Sequence, residues 1–217
     1  MTATQERSVA PRGGRSRRQA ARRERGSGTL HLVVGLLLAA GAAGIQSLDL
    51  SGDDHSMPLT YTGAKGENVD AGRFSIRVEK VSSAKTLKAD GKTTATDQVF
   101  LVVEAAATVP RKPLHLGEAQ LLTADGKKFV ASDKVDKMDT LAYPWIQPGW
   151  WSKGRYVFEV PAAALPGAQA VFTLPVSGLY SEPLPPEAQV DLGIDEAAAK
   201  QLGSAPAEVY DLDEKKK

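Results

Sequence analysis

Alternation of apolar and polar residues, interrupted at short intervals by glycine and proline, constrains the fold of this chain more than any other feature of its sequence. Residues 73–78 (RFSIRV) and 155–160 (RYVFEV) place an apolar side chain at least at every second position. A period of two belongs to a β-strand with one face on a core. Residues 98–104 (QVFLVVE) are apolar on both faces, which is typical of a strand in the middle of a sheet.

Two Asp-Gly pairs mark tight turns between such strands. Asp90-Gly91 follows the first strand, and Asp125-Gly126 separates residues 119–123 from residues 128–131. Glycine at this position adopts the positive φ that hairpin turns require. Six to eight short strands fit between residues 59 and 176, with no long amphipathic helix to supply the crossovers of a parallel sheet. The sequence therefore predicts an all-β fold, an antiparallel immunoglobulin-like sandwich over residues 59–176.

One segment of the chain suits lipid rather than water. From Leu32 to Ile45 there is no polar side chain, and a helix over residues 29–46 would be about 27 Å long at about 1.5 Å per residue. This length is short but sufficient for a bilayer core of about 30 Å. We predict a transmembrane helix that acts as an uncleaved signal anchor, followed by a linker at residues 47–58.

The residues before this segment are strongly basic. Residues 1–28 contain eight arginines against two glutamates and hold no apolar cluster, so they are predicted to be a disordered head. Arginines before an apolar helix, with three aspartates within residues 49–54 after it, are typical of an N-terminus that stays in the cytoplasm. We expect a single-pass protein of the cell membrane whose C-terminal domain is extracytoplasmic.

The N-terminal region also allows other interpretations. Ala40-Gly41-Ala42 would suit a signal peptidase, and cleavage there would release a secreted binding protein. The arginines of the head set membrane topology in the interpretation that we favour. In the alternatives they bind anionic lipid head groups or nucleic acid, and nucleic acid is the less favoured partner.

The C-terminal residues 177–217 differ in composition from the predicted strands. They begin with a Pro-rich link, after which residues 190–194 (VDLGI) would add an edge strand. A short helix over residues 197–202, capped by Asp195 and ended by Gly203, would then precede a charged tail.

Composition excludes several kinds of chemistry. The chain contains no cysteine, so it has no disulfide, thiolate metal site or cysteine nucleophile. It also contains no Gly-x-Ser-x-Gly elbow, phosphate loop or dinucleotide fingerprint. Asp53, Asp54 and His55 are adjacent metal-ligand types, but three successive residues rarely converge on one ion, and they are interpreted as linker. We predict no catalytic residue, metal site or cofactor; a membrane-tethered hydrolase acting on the envelope is the alternative.

All three tryptophans of the chain lie within the seven residues 145–151. With Tyr143, the rings of Trp145, Trp150 and Trp151 are the candidate ligand or partner surface, because tryptophan offers a large contact area at low entropic cost. A sugar ring, a peptidoglycan strand or a partner protein would suit such a surface. The alternative, which we favour from the sequence, is that one or two rings plug the open end of the sandwich.

The predicted strands resemble a known family over about residues 61–174. The segments that carry the resemblance are 72–78 (GRFSIRV), 97–103 (DQVFLVV), 122–126 (LTADG), and 147–149 (QPG) leading to 157–161 (VFEVP). They are similar to uncharacterised immunoglobulin-like β-sandwich domains of lipoproteins and membrane-anchored surface proteins of Gram-positive bacteria. The resemblance implies a fold and an envelope location, and it carries over no functional residue. The lipobox cysteine of such lipoproteins is absent here.

These features together predict a binding or scaffolding domain, not an enzyme, that is anchored on the outer side of a membrane and accessory to an envelope or transport system. Its expected partners are the membrane, through residues 29–46, and an envelope protein or cell-wall glycan.

Overall fold

The computed structural model describes residues 33–38, 57–175 and 182–213. By its internal contacts the chain divides into two compact units, Met1–Asp49 and Leu50–Lys217. The second unit holds all the β-strands described below.

In the first unit, residues 33–38 are helical and their side chains are exposed. No helix within the described residues has both the length and the apolar character needed to cross a membrane. The rest of the predicted helix 29–46, the basic head 1–28 and the cleavage motif at 40–42 lie outside the described residues. So do most of the linker and, with it, Asp53-Asp54-His55.

The second unit consists mainly of β-strands. In chain order they are β1 (Leu59–Ala64), β2 (Val69–Asp70), β3 (Ser75–Ala89), β4 (Lys92–Thr108), β5 (Gln120–Leu122), β6 (Lys128–Val130), β7 (Ser152–Val160), β8 (Gln169–Thr173), β9 (Pro186–Asp191) and β10 (Ala207–Asp211). One α-helix, α1 (Glu196–Ser204), lies between β9 and β10, and short 3₁₀ turns occur at Lys137–Asp139 and Ala162–Ala164.

The strands form two sheets that pack face to face. The first sheet has the order β1-β9-β8-β5-β6, and the second has the order β10-β3-β4-β7 with β2 paired to the start of β3. Side chains from both sheets share one buried cluster; they include Ile76, Val78, Leu101, Val103, Tyr156, Phe158, Leu121, Phe172 and Val190. Two sheets that share a core in this way are a β-sandwich. The predicted all-β sandwich is confirmed at this level, and the immunoglobulin-like assignment stays a prediction.

Two strand pairs correct the prediction of a purely antiparallel sandwich. β1 pairs with β9 in parallel, and β10 pairs with β3 in parallel. Parallel neighbours cannot be joined by a tight turn and need a long connection. In both pairs the partners come from distant parts of the chain, so the local alternation that identifies each strand contains no information about the direction of its neighbour.

The C-terminal segment belongs to the sandwich, which changes the predicted boundary at residue 176. β9 lies between β1 and β8, so the strand predicted at the edge over 190–194 begins earlier, at Pro186, and is interior. Ala188 and Val190 are fully buried there. Proline is tolerated because it occupies the first residue of the strand. β10, which the alternation pattern did not reveal, extends the second sheet to Asp211.

The predicted helix of this segment forms, with its expected cap. An Oδ1 atom of Asp195 accepts the backbone N–H of Ala198 at 2.7 Å, which satisfies one of the donors left free at a helix N-terminus. The helix does not end at Gly203, as predicted, but continues to Ser204.

The central strand β4 is buried on both faces, as its sequence predicts. Its inward residues Leu101 and Val103 join the core between the sheets. On the outer face Phe100 and Val102 form a second cluster with Leu87, Val135, Val157 and Leu212. Leu212 directly follows β10, so the C-terminal strand brings the cover for the outside of the second sheet.

This outer cluster predicts a large stability effect at the end of the chain. Leu212→Ala removes a side chain that is only 4 % exposed, and such truncations lower the free energy of unfolding by about 2–5 kcal/mol. The matched control is Val209→Ala on β10, where the side chain is 50 % exposed, and the expected change is within about 0.5 kcal/mol. Chemical denaturation of the full chain measures both. Equal effects of the two substitutions would contradict the conclusion that the sandwich includes β10 and Leu212.

Candidate binding surface at one end of the sandwich

One end of the sandwich collects three loops. β3 begins at this end, β4 ends there and β7 begins there, because Ser75 pairs with Thr108 and Ser152 pairs with Ala107. The loops that meet are therefore residues 71–74, residues 109–119 and residues 140–151. We call the last of these the aromatic loop, since it contains the three tryptophans.

Two buried side chains hold the aromatic loop against the sandwich. Leu141 is fully buried, and its backbone N–H donates to the carbonyl of Arg155 at 3.0 Å. It packs so closely on Gly154 that a Cβ atom there would lie 2.7 Å from the Leu141 Cβ. Ile146 is also fully buried, and it exchanges two backbone hydrogen bonds with Leu114, of 2.8 and 3.2 Å.

The aromatic rings of the loop point away from the core. Exposed fractions are 53 % for Tyr143, 59 % for Trp145, 76 % for Trp150 and 38 % for Trp151. The interpretation favoured from the sequence, that tryptophan plugs the end of the sandwich, is therefore wrong. Leu141 and Ile146 already fill that position, so the larger rings are left outside.

A turn and a ring contact fix where two of the tryptophans lie. Gly149 has φ of +74°, a conformation that favours glycine, and it directly precedes Trp150. The Trp145 ring lies against His115, with ring centroids 4.1 Å apart and planes inclined by 46°. His115 lies in the second loop of this end.

Trp151 is covered by a charged network on the outer face of the second sheet. The guanidinium of Arg77 lies 4.9 Å from the centre of its ring, a cation–π distance. Arg77 and Lys153 both pair with Glu79, at 3.1 and 2.9 Å. The hydrogen bond from Lys153 is the main reason that the pKa of Glu79 is lowered from its usual value, although partial burial opposes the shift. The Arg77 guanidinium, which Glu79 holds, lies over the Trp151 ring, and Trp151 is the least exposed of the three tryptophans.

Beside the aromatic loop lies a groove of about 500 Å³, which we call the basic groove. It is lined by Gly72, Arg73, Pro110, Arg111, Lys112, Pro113 and Leu114. Arg73 forms an ion pair with Glu182. Among the described residues, the side chains of Arg111 and Lys112 have no hydrogen-bond or ion-pair partner. The groove and the loop are continuous, because Leu114 pairs with Ile146 and Val109 with Pro148.

Sequence reasoning found the aromatic residues of this end but not its cations. The signal was present in the segment VPRKP, residues 109–113, in which two adjacent cations stand between prolines. Prolines on both sides keep such a segment extended and out of regular structure. The positions of Arg73 and His115 depend on which loops meet at this end of the sandwich. A local sequence pattern does not specify which loops meet.

The described residues hold no cluster of histidine or acidic side chains suited to a metal ion. Two neighbouring carboxylates, Asp133 and Asp136, are exposed, and Asp136 caps the 3₁₀ turn by accepting the N–H of Met138 at 2.9 Å.

Comparison with known proteins finds matches of low similarity among solved structures. The sequence matches no protein-family model and no curated protein. The chain is similar to the yjhA protein from Bacillus subtilis, with 17 % identity over 59 % of this chain and 98 % of that one, at a TM-score of 0.46. An uncharacterised β-sandwich protein from Clostridium difficile is 12 % identical over 62 % of this chain and 95 % of its own, at a TM-score of 0.38.

Two substitutions test whether Ile146 stabilises the fold while Trp150 does not. Ile146→Ala removes a buried anchor and is expected to lower the free energy of unfolding by about 2–5 kcal/mol. Trp150→Ala removes a larger side chain that is 76 % exposed, and is expected to change it by only about 0.5 kcal/mol. Urea denaturation measures the free energy of unfolding of both variants. A cost for Trp150→Ala as large as that for Ile146→Ala would mean that the ring is part of the core.

Proposed function

We propose that this protein is a non-catalytic binding or scaffolding domain, held by residues 29–46 on the outer side of a membrane and accessory to an envelope or transport system. The aromatic loop is its binding surface. The observation that carries this proposal is the exposure of four aromatic rings on a loop whose anchors, Leu141 and Ile146, are fully buried.

Exposed rings gathered on one loop are typical of an interaction surface, whereas single exposed apolar side chains are common on any protein. Contiguous apolar surface on a soluble domain is typical of a binding site, and tryptophan and tyrosine are enriched among the residues that dominate binding energy. The buried anchors fix the loop during folding. A partner therefore meets a surface that is already arranged, and less conformational entropy is lost when it binds.

The remaining parts of the proposal rest on the sequence. An apolar segment preceded by arginines would place the sandwich outside the cytoplasm, and anchoring would raise its local concentration near a partner in the envelope. The resemblance to surface proteins of Gram-positive bacteria supports the same location. The candidate partner classes are a cell-wall glycan, an envelope protein and the membrane itself.

Binding to isolated envelope tests this function. The detergent-solubilised full chain is expected to sediment with an envelope fraction, and a Trp145→Ala/Trp150→Ala variant is expected to bind at least about 10-fold more weakly, since central aromatic residues often contribute about 2 kcal/mol or more each. Val209→Ala, which removes another half-exposed apolar side chain, is the control and should bind like the wild type. Unchanged binding by a folded double variant would reject the aromatic loop as the surface.

A further inference from the structure

We propose that the partner of this surface is an anionic lipid bilayer, on which the aromatic loop and the basic groove dock together. This inference rests on the proposed function, because it takes the aromatic loop to be a binding surface and names what it binds. Three observations support a bilayer: the kind of rings, the cations beside them and the shortage of acceptors among the side chains that line the groove.

The rings are of the kind that lipid interfaces favour. Tryptophan and tyrosine have an apolar body and a polar tip, and both are enriched at the level of lipid head groups. Tyr143, Trp145 and Trp150 are each more than half exposed. Proline and leucine side chains of the adjacent groove, at Pro110, Pro113 and Leu114, continue the apolar area.

The charges beside the rings are positive. The groove is lined by three cations and no acidic residue. One of them, Arg73, is paired with Glu182, whereas Arg111 and Lys112 have no such partner among the described residues. Guanidinium and ammonium groups near a membrane surface are attracted to anionic head groups, and arginine pairs with phosphate through two parallel hydrogen bonds.

The charged side chains that line the groove also disfavour a neutral sugar as the ligand. A sugar hydroxyl both donates and accepts hydrogen bonds, so its sites usually combine donors with carboxylate or amide acceptors. The charged side chains that line the groove, Arg73, Arg111 and Lys112, are donors only. A ligand that presents acceptors, as a phosphate does, fits this set.

The chain also enters the sandwich at this end. Gly66 follows β1, and its N–H donates to the carbonyl of Val78 at 2.9 Å. Val78 lies within β3, beyond the first residue of that strand, Ser75. Near the start of β1, the hydroxyl of Tyr61 lies 3.9 Å from the position of a Cβ on Gly72. β1 therefore runs away from the basic groove, and its first residue, Leu59, lies on the side of the groove.

The test uses the fact that all three tryptophans of the chain lie in the aromatic loop, so that tryptophan fluorescence reports on this surface alone. The full chain is reconstituted into vesicles whose lipids carry bromine on their acyl chains, which quenches an indole that inserts among them. We expect quenching in vesicles of equal parts phosphatidylglycerol and phosphatidylcholine, and little in phosphatidylcholine alone. Salt at about 1 M, where the screening length falls to about 3 Å, should reverse it.

Matched variants separate this surface from a general effect of charge. Arg111→Gln/Lys112→Gln is expected to lose about half of the quenching or more, since it removes both groove cations that have no partner among the residues that the structure describes. Lys92→Gln/Lys128→Gln makes the same change of charge at exposed positions elsewhere and should leave quenching unchanged. Thermal unfolding shows that each variant is folded. Equal loss in both variants, or equal quenching in both kinds of vesicle, would overturn the inference.

A further arm distinguishes the failure of this inference from the failure of the proposed function. Purified cell-wall glycan and solubilised envelope proteins are added separately to the chain in unbrominated phosphatidylcholine vesicles. If tryptophan emission responds to one of them while bromolipid does not quench, the aromatic loop is a binding surface but its partner is not lipid. If none of the three partners affects the emission, both proposals fail.

Discussion

Burial of the central strand β4 on both faces is the constraint on which the rest of this structure depends. Its inner side chains meet the first sheet, and its outer side chains, Phe100 and Val102, need a separate cover. The C-terminal β10 and Leu212 bring that cover to one part of the outer face. Within the described residues no helix covers this hydrophobic face, which explains why the C-terminal strand packs there.

At the C-terminal end of β4, the outer face of the second sheet is covered differently. The outer face there carries the ion pairs of Arg77, Glu79 and Lys153 instead of apolar cover, and the core is closed by Leu141 and Ile146 from the aromatic loop. Because small branched side chains close the core, the tryptophans are free to face solvent. Stability and the proposed recognition therefore rest on different residues of one loop, which allows the two to be separated by mutation.

Much of the fold follows from local sequence, and the parts that do not are non-local. Alternation and Asp-Gly turns predict the β3–β4 and β5–β6 hairpins, and Asp195 predicts the helix cap. The interior position of β9 and the parallel pairing of β10 depend on contacts between distant segments of the chain. A period-two pattern within one segment does not specify which strand pairs with it. The exposed tryptophans were misjudged because hydrophobicity alone favours burial, while the loop contains two smaller residues that fill the available space.

The most direct test of this account is the solvent accessibility of the three tryptophans before any partner is added. In the full chain, reconstituted in vesicles of phosphatidylcholine alone, acrylamide should quench most of their fluorescence, because Trp145 and Trp150 are more than half exposed. The emission maximum should lie close to that of indole in water. Emission shifted to the blue, together with weak quenching by acrylamide, would show that the rings are buried and would contradict the proposed binding surface.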